Sequence, residues 1–294
     1  MAVHWKGDSG LRARMILSFI LLGILYLIFL GILHYLGVGY IPLALIASAM
    51  ILAQWYFSDK IVLWSSGAKI VTKEEYPRLH EIVGRLSANN GLPKPRVALV
   101  NSQVPNAFAT GKSPKSSLVA VTTGIMDLLE DDELEAVIGH ELTHVRSRDV
   151  LVLTLASVFS TVAWYLVQFG FFGGLQTRDR NAVGTTAIVM LVAILTWLVS
   201  FLIIRAISRY REYSADRGGA IMTGKPDKLA SALLKISGKI GSVPPKELEK
   251  VQQLNAFFII PALTRSSFAN LFSTHPPVEK RVQKLMEMKS GMNE

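Results

Sequence analysis

Apolar residues in this chain are gathered into four long blocks, separated by stretches with the mixed polarity of water-soluble protein. The first block, Met15–Tyr35 (MILSFILLGILYLIFLGILHY), has about the 20 residues that a helix needs to cross a bilayer. It lacks the small-residue cleavage site of a secretory signal, so it is expected to be retained. Beyond the short turn LGVGY, Ile41–Phe57 predicts a second span, with Trp55 and Tyr56 at the depth aromatic residues favour. Val150–Phe172 and Thr185–Ile207 predict a third and a fourth, although Gln168 and the glycines around Gly170–Gly174 weaken the third. The blocks divide the chain into a membrane segment 1–57, a polar region 58–149, a membrane hairpin 150–207 and a second polar region 208–294.

In the polar regions the period of the pattern changes. Thr72–Glu75 reads as a capping box that opens a helix to about Asn89, with Gly91 as its stop. RVALVN (96–101) and SLVAVT (117–122) read as short strands, and NAFATG (106–111), bounded by Pro105, reads as an edge strand between them. The run DDELEAVIGHELTHV places Leu134, Val137, Ile138 and Leu142 at helical spacings, with Asp131 or Asp132 as the N-cap. After Ile207 the pattern predicts helices over Arg209–Ile221, Asp227–Ser237 (opened by Pro226), Lys246–Phe257 and Pro277–Lys289. The fold class expected is mainly α: a multi-pass membrane protein with about four transmembrane helices and a cytoplasmic, zincin-like α+β domain carrying a small sheet.

Composition adds two constraints. The chain has no cysteine, which excludes disulfides and thiolate metal sites, so any metal must be held by histidine and carboxylate. A net charge of +9 raises the question of nucleic acid, but the basic residues flank the apolar blocks, which suits anionic lipid; no nucleic-acid partner is expected. Lys and Arg are concentrated before the first block, in Ser58–Arg148 and after Arg205. The positive-inside rule therefore places both termini and both polar regions on the cytoplasmic side.

The candidate chemistry lies in AVIGHELTHVRSRD, where His140, Glu141 and His144 form HExxH. Residues four apart share a helix face, so both imidazoles can reach one ion, here taken to be one Zn2+ per chain. Glu141 is swung off that pair and can take a proton from a water that the metal acidifies. Two histidines leave a catalytic zinc one protein ligand short. A histidine six residues on, as in metzincins, is excluded by Val150. Glu212 in REYSAD fits the ExxxD pattern of glutamate-zincins, with Asp216 one turn later. His144 and Glu212 can share an ion only if an even number of spans separates them, and two are predicted there.

HELTHVRSRD, a hydrophobic hairpin, REYSADRGGA and STHPPVEKRV (273–282) together resemble the HtpX-type membrane metalloproteases, of one superfamily with the CAAX prenyl endopeptidases. The resemblance implies a zinc endopeptidase of the cytoplasmic membrane that degrades misfolded or damaged membrane proteins, with bilayer and unfolded protein as its partners. It implies His140, His144 and Glu212 as ligands, Glu141 as base and Asp216 as a carboxylate orienting a ligand histidine. His275 either donates to the oxyanion or begins the Pro276–Pro277 helix. Asn106, Ala107, Phe108 and Ala109 would pair with an extended substrate. The alternatives are a CAAX-type endopeptidase, which this chain is too short to match, and a non-proteolytic scaffold, which would not need Glu141. The charges at Glu130–Glu135 and Arg146–Asp149 argue against cleavage within the bilayer. The pattern specifies no oligomeric state.

Overall fold

A computed structural model describes residues 9–37, 41–173, 180–242 and 275–292. In chain order these form α1 (Ser9–Tyr35), α2 (Ile41–Tyr56), α3 (Ser58–Ser66), β1 (Lys69–Ile70), α4 (Pro77–Asn89), β2 (Arg96–Val100) and β3 (Ala107–Thr110). There follow β4 (Leu118–Thr122), α5 (Thr123–Leu128), α6 (Asp131–Ser147), α7 (Asp149–Gly173), α8 (Arg180–Thr223), α9 (Pro226–Ser242) and α10 (Val278–Met292). The chain divides into an apolar unit, Ser9–Trp55 with Leu151–Ile207, and a polar unit drawn from Tyr56–Val150 and Ser208–Glu294.

In the apolar unit, Leu22, Tyr26, Phe29 and Leu33 recur every three or four residues along α1 and are buried with small partners such as Ala156, Ala163 and Ala193. The Tyr26 hydroxyl donates to the Ala156 carbonyl at 3.0 Å, so this polar tip in the seam is satisfied. The opposite faces expose Ile16, Leu27, Leu45 and Leu191. Helices apolar on both faces suit a lipid surrounding. Among the described residues, Ser9–Tyr35 and Gly184–Thr223 are each long and apolar enough to cross a membrane. Asp149–Val158 and Ser160–Gln168 meet that test only as a pair inclined by 43°, and α2 is shorter. Four spans therefore require that α2 and α7 be counted as well.

The polar unit is built on a four-stranded sheet of order β1-β2-β4-β3, with β2 and β4 parallel and the other pairs antiparallel. Alternation along the strands feeds two cores. Val97, Val119 and Val121 join Leu79, Val83, Leu134, Ile138, Leu142 and Leu233 on the helical side. Ala98, Val100, Phe108, Leu118 and Ala120 face Val62 of α3 on the other. The segment read as an edge strand is one: β3 lies at the end of the sheet. Thr122 N–H donates to the Asn106 carbonyl at 2.9 Å. By antiparallel alternation Phe108 and Thr110 then bond to β4, while Ala107 and Ala109 turn their N–H and C=O away from it.

Three boundaries differ from the sequence reading. Thr72 and Glu75 do exchange backbone-to-side-chain hydrogen bonds, at 2.7 and 3.4 Å, but they close a separate turn; α4 begins at Pro77. Tyr76 precedes that proline and is pushed out of helical geometry (φ −132°, ψ 65°). The cap of α6 is Glu130 rather than Asp131 or Asp132, with Glu133 accepting the Glu130 N–H at 3.0 Å to complete a capping box. The helix expected over Arg209–Ile221 is continuous with the preceding apolar stretch in α8, since no Gly or Pro interrupts residues 185–216. The helix expected over Lys246–Phe257 lies outside the described residues.

Candidate metal centre

The centre is made where α6 and α8 approach without side chains between them. A Cβ placed on Gly219 would stand 2.7 Å from His140 N and 2.9 Å from its Cα, and one on Gly139 would stand 2.7 Å from Thr223 Cγ2. Backbone can lie against backbone there because both crossing positions are glycine. Glu212, seven residues before Gly219, falls two turns away on the same side of α8 and is carried onto the histidines of α6.

His140 Nε2 and His144 Nε2 are 3.1 Å apart. Glu212 Oε2 lies 3.7 Å from the first and Oε1 3.5 Å from the second. Tetrahedral zinc with bonds of about 2.0–2.1 Å separates its ligand atoms by roughly 3.3 Å. The three donors fit that ion, and His140 and Glu212 are buried while His144 is partly exposed.

Each imidazole is fixed from behind. His140 Nδ1 is 3.0 Å from Asp216 Oδ1, and His144 Nδ1 is 2.7 Å from Asp149 Oδ2. A carboxylate at Nδ1 sets the tautomer that leaves the Nε2 lone pair free for a metal. Burial drives the His140 pKa down, which keeps the ring neutral as a ligand must be. Asp149 comes within reach because α6 ends at Arg148 in the left-handed region (φ 55°, ψ 44°), breaking the helix just before it. Arg211 in turn pairs with Asp149 and donates to the Ser147 carbonyl at 3.2 Å.

The fully buried Arg281 of α10 donates to Asp216 twice, Nε to Oδ2 at 2.8 Å and Nη2 to Oδ1 at 2.6 Å, and sets Nη1 3.6 Å from Glu212 Oε2. Burial opposes its charge, but Asp216 and Glu212 more than offset this and raise its pKa. His275 is buried with Nδ1 2.9 Å from Glu212 Oε2. Burial pushes the Glu141 carboxyl up to about 8, against the pull of His144; Glu212 adds to the rise and a hydrogen bond from the Ala109 N–H opposes it. Asn106, Ala107 and Phe108 are buried and Ala109 is half-buried. The edge strand and the HExxH glutamate are thus joined by a backbone hydrogen bond.

The sequence-predicted residues His140, Glu141, His144, Glu212, Asp216 and His275 therefore meet in one place, with β3 beside them. His80 lies apart from this site, with Nε2 2.9 Å from the Val71 carbonyl and Nδ1 3.2 Å from Lys94 Nζ. Sequence reasoning missed Asp149, Arg211 and Arg281. A signal for Arg281 exists, since it shares a helical side with Val278 and Leu285, both buried.

With this geometry in hand, residues 73–289 match the model of "Peptidase family M48". The chain is 52% identical over 294 residues to "Protease HtpX homolog 2" of Methanosarcina acetivorans, covering all of both chains. It is 52% identical to "Protease HtpX homolog" of Moorella thermoacetica, over 98% of this chain and 97% of that one. Among solved structures it resembles the crystal structure of S. mikatae Ste24p, with a TM-score of 0.57 at 17% identity, covering 95% of this chain and 67% of that one.

Proposed function

This chain belongs to peptidase family M48, and on that premise we propose that it is a membrane-bound zinc endopeptidase with His140, His144 and Glu212 as ligands and Glu141 as general base. The observation that carries the reading is the convergence of the three donor groups, with the Nε2 atoms 3.1 Å apart, Glu212 Oε1 3.5 Å from one and Glu212 Oε2 3.7 Å from the other. Zinc held there by three protein ligands would serve as a Lewis acid and acidify a water at its open position.

The residues around these donors have distinct tasks in this reading. Burial and the charge of Glu212 raise the Glu141 carboxyl, and the positive charge of a bound ion would lower it towards the proton-accepting form. Once protonated, it can hand that proton to the departing amine. Asp216 and Asp149 hold the two imidazoles, and Arg281 holds Asp216. His275, turned by Nδ1 onto Glu212, supports that ligand. On the side of β3 away from β4, the half-buried Ala109 offers its carbonyl to an extended substrate, a backbone pairing that tolerates many side chains, while its N–H is held by Glu141.

Misfolded or damaged membrane proteins are the substrate class this arrangement serves, cut on the cytoplasmic side of the cytoplasmic membrane. The distribution of Lys and Arg supports that side, and the long apolar helices support the membrane. The resemblance to Ste24p concerns the fold and does not favour prenylated substrates. The test is cleavage of casein by the purified protein with and without a chelator, beside Glu141→Gln. Chelation should stop cleavage, and Glu141→Gln should lower the rate by about a hundredfold or more with metal retained. Undiminished cleavage in either case overturns the assignment.

A further inference from the structure

We propose that the outward face of α3 docks onto the anionic headgroup layer of the bilayer and so sets the depth at which the edge strand β3 works. This rests on the reading that α1 and α2 lie in a membrane. The two sides of α3 are both apolar, which is unusual for a short helix covering a sheet. Ser58 and Val62 face inward and are buried. Phe57, Ile61 and Trp64, at i, i+4 and i+7, form an outward stripe that is 43%, 44% and 87% exposed.

Cations accompany the stripe. Lys60 Nζ lies 5.5 Å from the centre of the Phe57 ring, and Lys112 Nζ lies 3.4 Å from that of Tyr56. Tyr56 and Phe57 meet edge to face at 5.0 Å, so the two ammonium groups crown one aromatic pair. The single acid of α3, Asp59, is turned to Arg96 at 2.5 Å and does not offset them. Trp, Phe and Ile beside Lys are the composition of a helix lying in the headgroup boundary, and each Lys near an anionic surface contributes about 1 kcal/mol.

Chain continuity points to the same occupant. One residue, Phe57, separates α2 from α3, so α3 begins where the chain leaves the apolar block. Ile61 and Trp64 on this nine-residue helix, with Phe57 just before it, offer far less than the ~800 Å² per partner of a stable protein interface, which disfavours a second copy or a soluble partner. Val62, on the inward side, packs in the same cluster as Phe108 of β3. Force or position imposed on α3 by lipid is thereby passed to the strand that adjoins Glu141.

The absence of cysteine makes a direct depth measurement possible. Nitroxide labels are placed by Trp64→Cys and by Ser65→Cys, the latter keeping the tryptophan, in full-length protein in nanodiscs of anionic lipid. Leu27→Cys on α1 and Glu74→Cys before α4 mark lipid and water. Oxygen-to-nickel-chelate accessibility at 64 and 65 should fall between those two references. It should shift towards the Glu74 value in zwitterionic lipid or with Lys60→Glu and Lys112→Glu combined. Labels at 64 and 65 that match Glu74 while Leu27 reads lipid overturn the docking and leave the membrane reading intact. A water-accessible Leu27 removes both. Spin–spin broadening between chains at 64 assigns the face to a second copy instead and equally overturns the proposal.

Discussion

The two ends of α6 bury charge in opposite ways. At its start, Glu133 accepts from Lys235 Nζ at 2.8 Å and Ser231 Oγ at 2.7 Å, and Glu135 meets Lys225 Nζ at 2.7 Å and Arg85 Nη1 at 2.9 Å. Every acid there is matched by a cation that keeps part of its surface in water, so the charges cancel and the helix is fastened to α4 and α9. At its other end, His140 and His144, each backed at Nδ1 by a carboxylate, turn Nε2 towards each other and towards Glu212, which Arg281 and His275 also approach. Burial of charge therefore does not by itself mark a site. Lone pairs converging at the spacing of a small ion do, because the carboxylates behind the imidazoles leave both Nε2 atoms as acceptors aimed at a common point.

That contrast can be broken most decisively at the ligands. His140→Ala or Glu212→Ala should reduce bound metal from one per chain to nearly none, read by elemental analysis, and abolish proteolysis. Retained stoichiometric metal in either variant would move the site elsewhere. A smaller effect is expected one step back. Asp149→Asn and Asp216→Asn should weaken metal affinity about 10–100-fold, measured by competition with a chromophoric chelator. Cleavage by Asp149→Asn should recover in excess metal. The smallest change belongs to the other end of the helix. Glu135→Ala should leave metal affinity unaltered and lower stability by about 1–3 kcal/mol, seen as an earlier denaturation midpoint of the metal-loaded protein. The contrast fails if Glu135→Ala loosens the metal as much as Asp149→Asn does.

What could be read from the chain depended on how local the cause was. His140, Glu141 and His144 announce themselves because four residues along a helix is a fixed distance. Strands β2, β3 and β4 were visible because alternation and the bounding Pro105 and Gly111 are local signals. Glu212 needed an argument about crossings, since it lies 68 residues after His144. The start of α4 was misplaced because a capping box is also a free-standing turn, and Pro77 decided where the helix could begin. Asp149 was legible as a charge and not as a partner of His144, because its return depends on the left-handed Arg148. Arg281 acts on Asp216 across 65 residues, a contact that no spacing rule reaches.

The glycine crossing of α6 and α8 has a consequence for which ion the protein accepts. A methyl group on Gly219 would meet His140 N at 2.7 Å, where ordinary contact begins near 3.4 Å. Neither atom is the end of a flexible side chain, so the helices would have to part by about 0.7 Å, the difference between those two distances. Metal–ligand distances are held to about ±0.2 Å. The crossing would thus work as a gauge block: two imidazoles and a carboxylate already disfavour calcium, which takes six to eight oxygens at about 2.3–2.6 Å, and the thickness of the crossing adds a spacing that suits zinc. Gly219→Ala should therefore lose zinc affinity disproportionately to that for larger divalent ions, in competition titrations, although residue 219 itself would touch no metal.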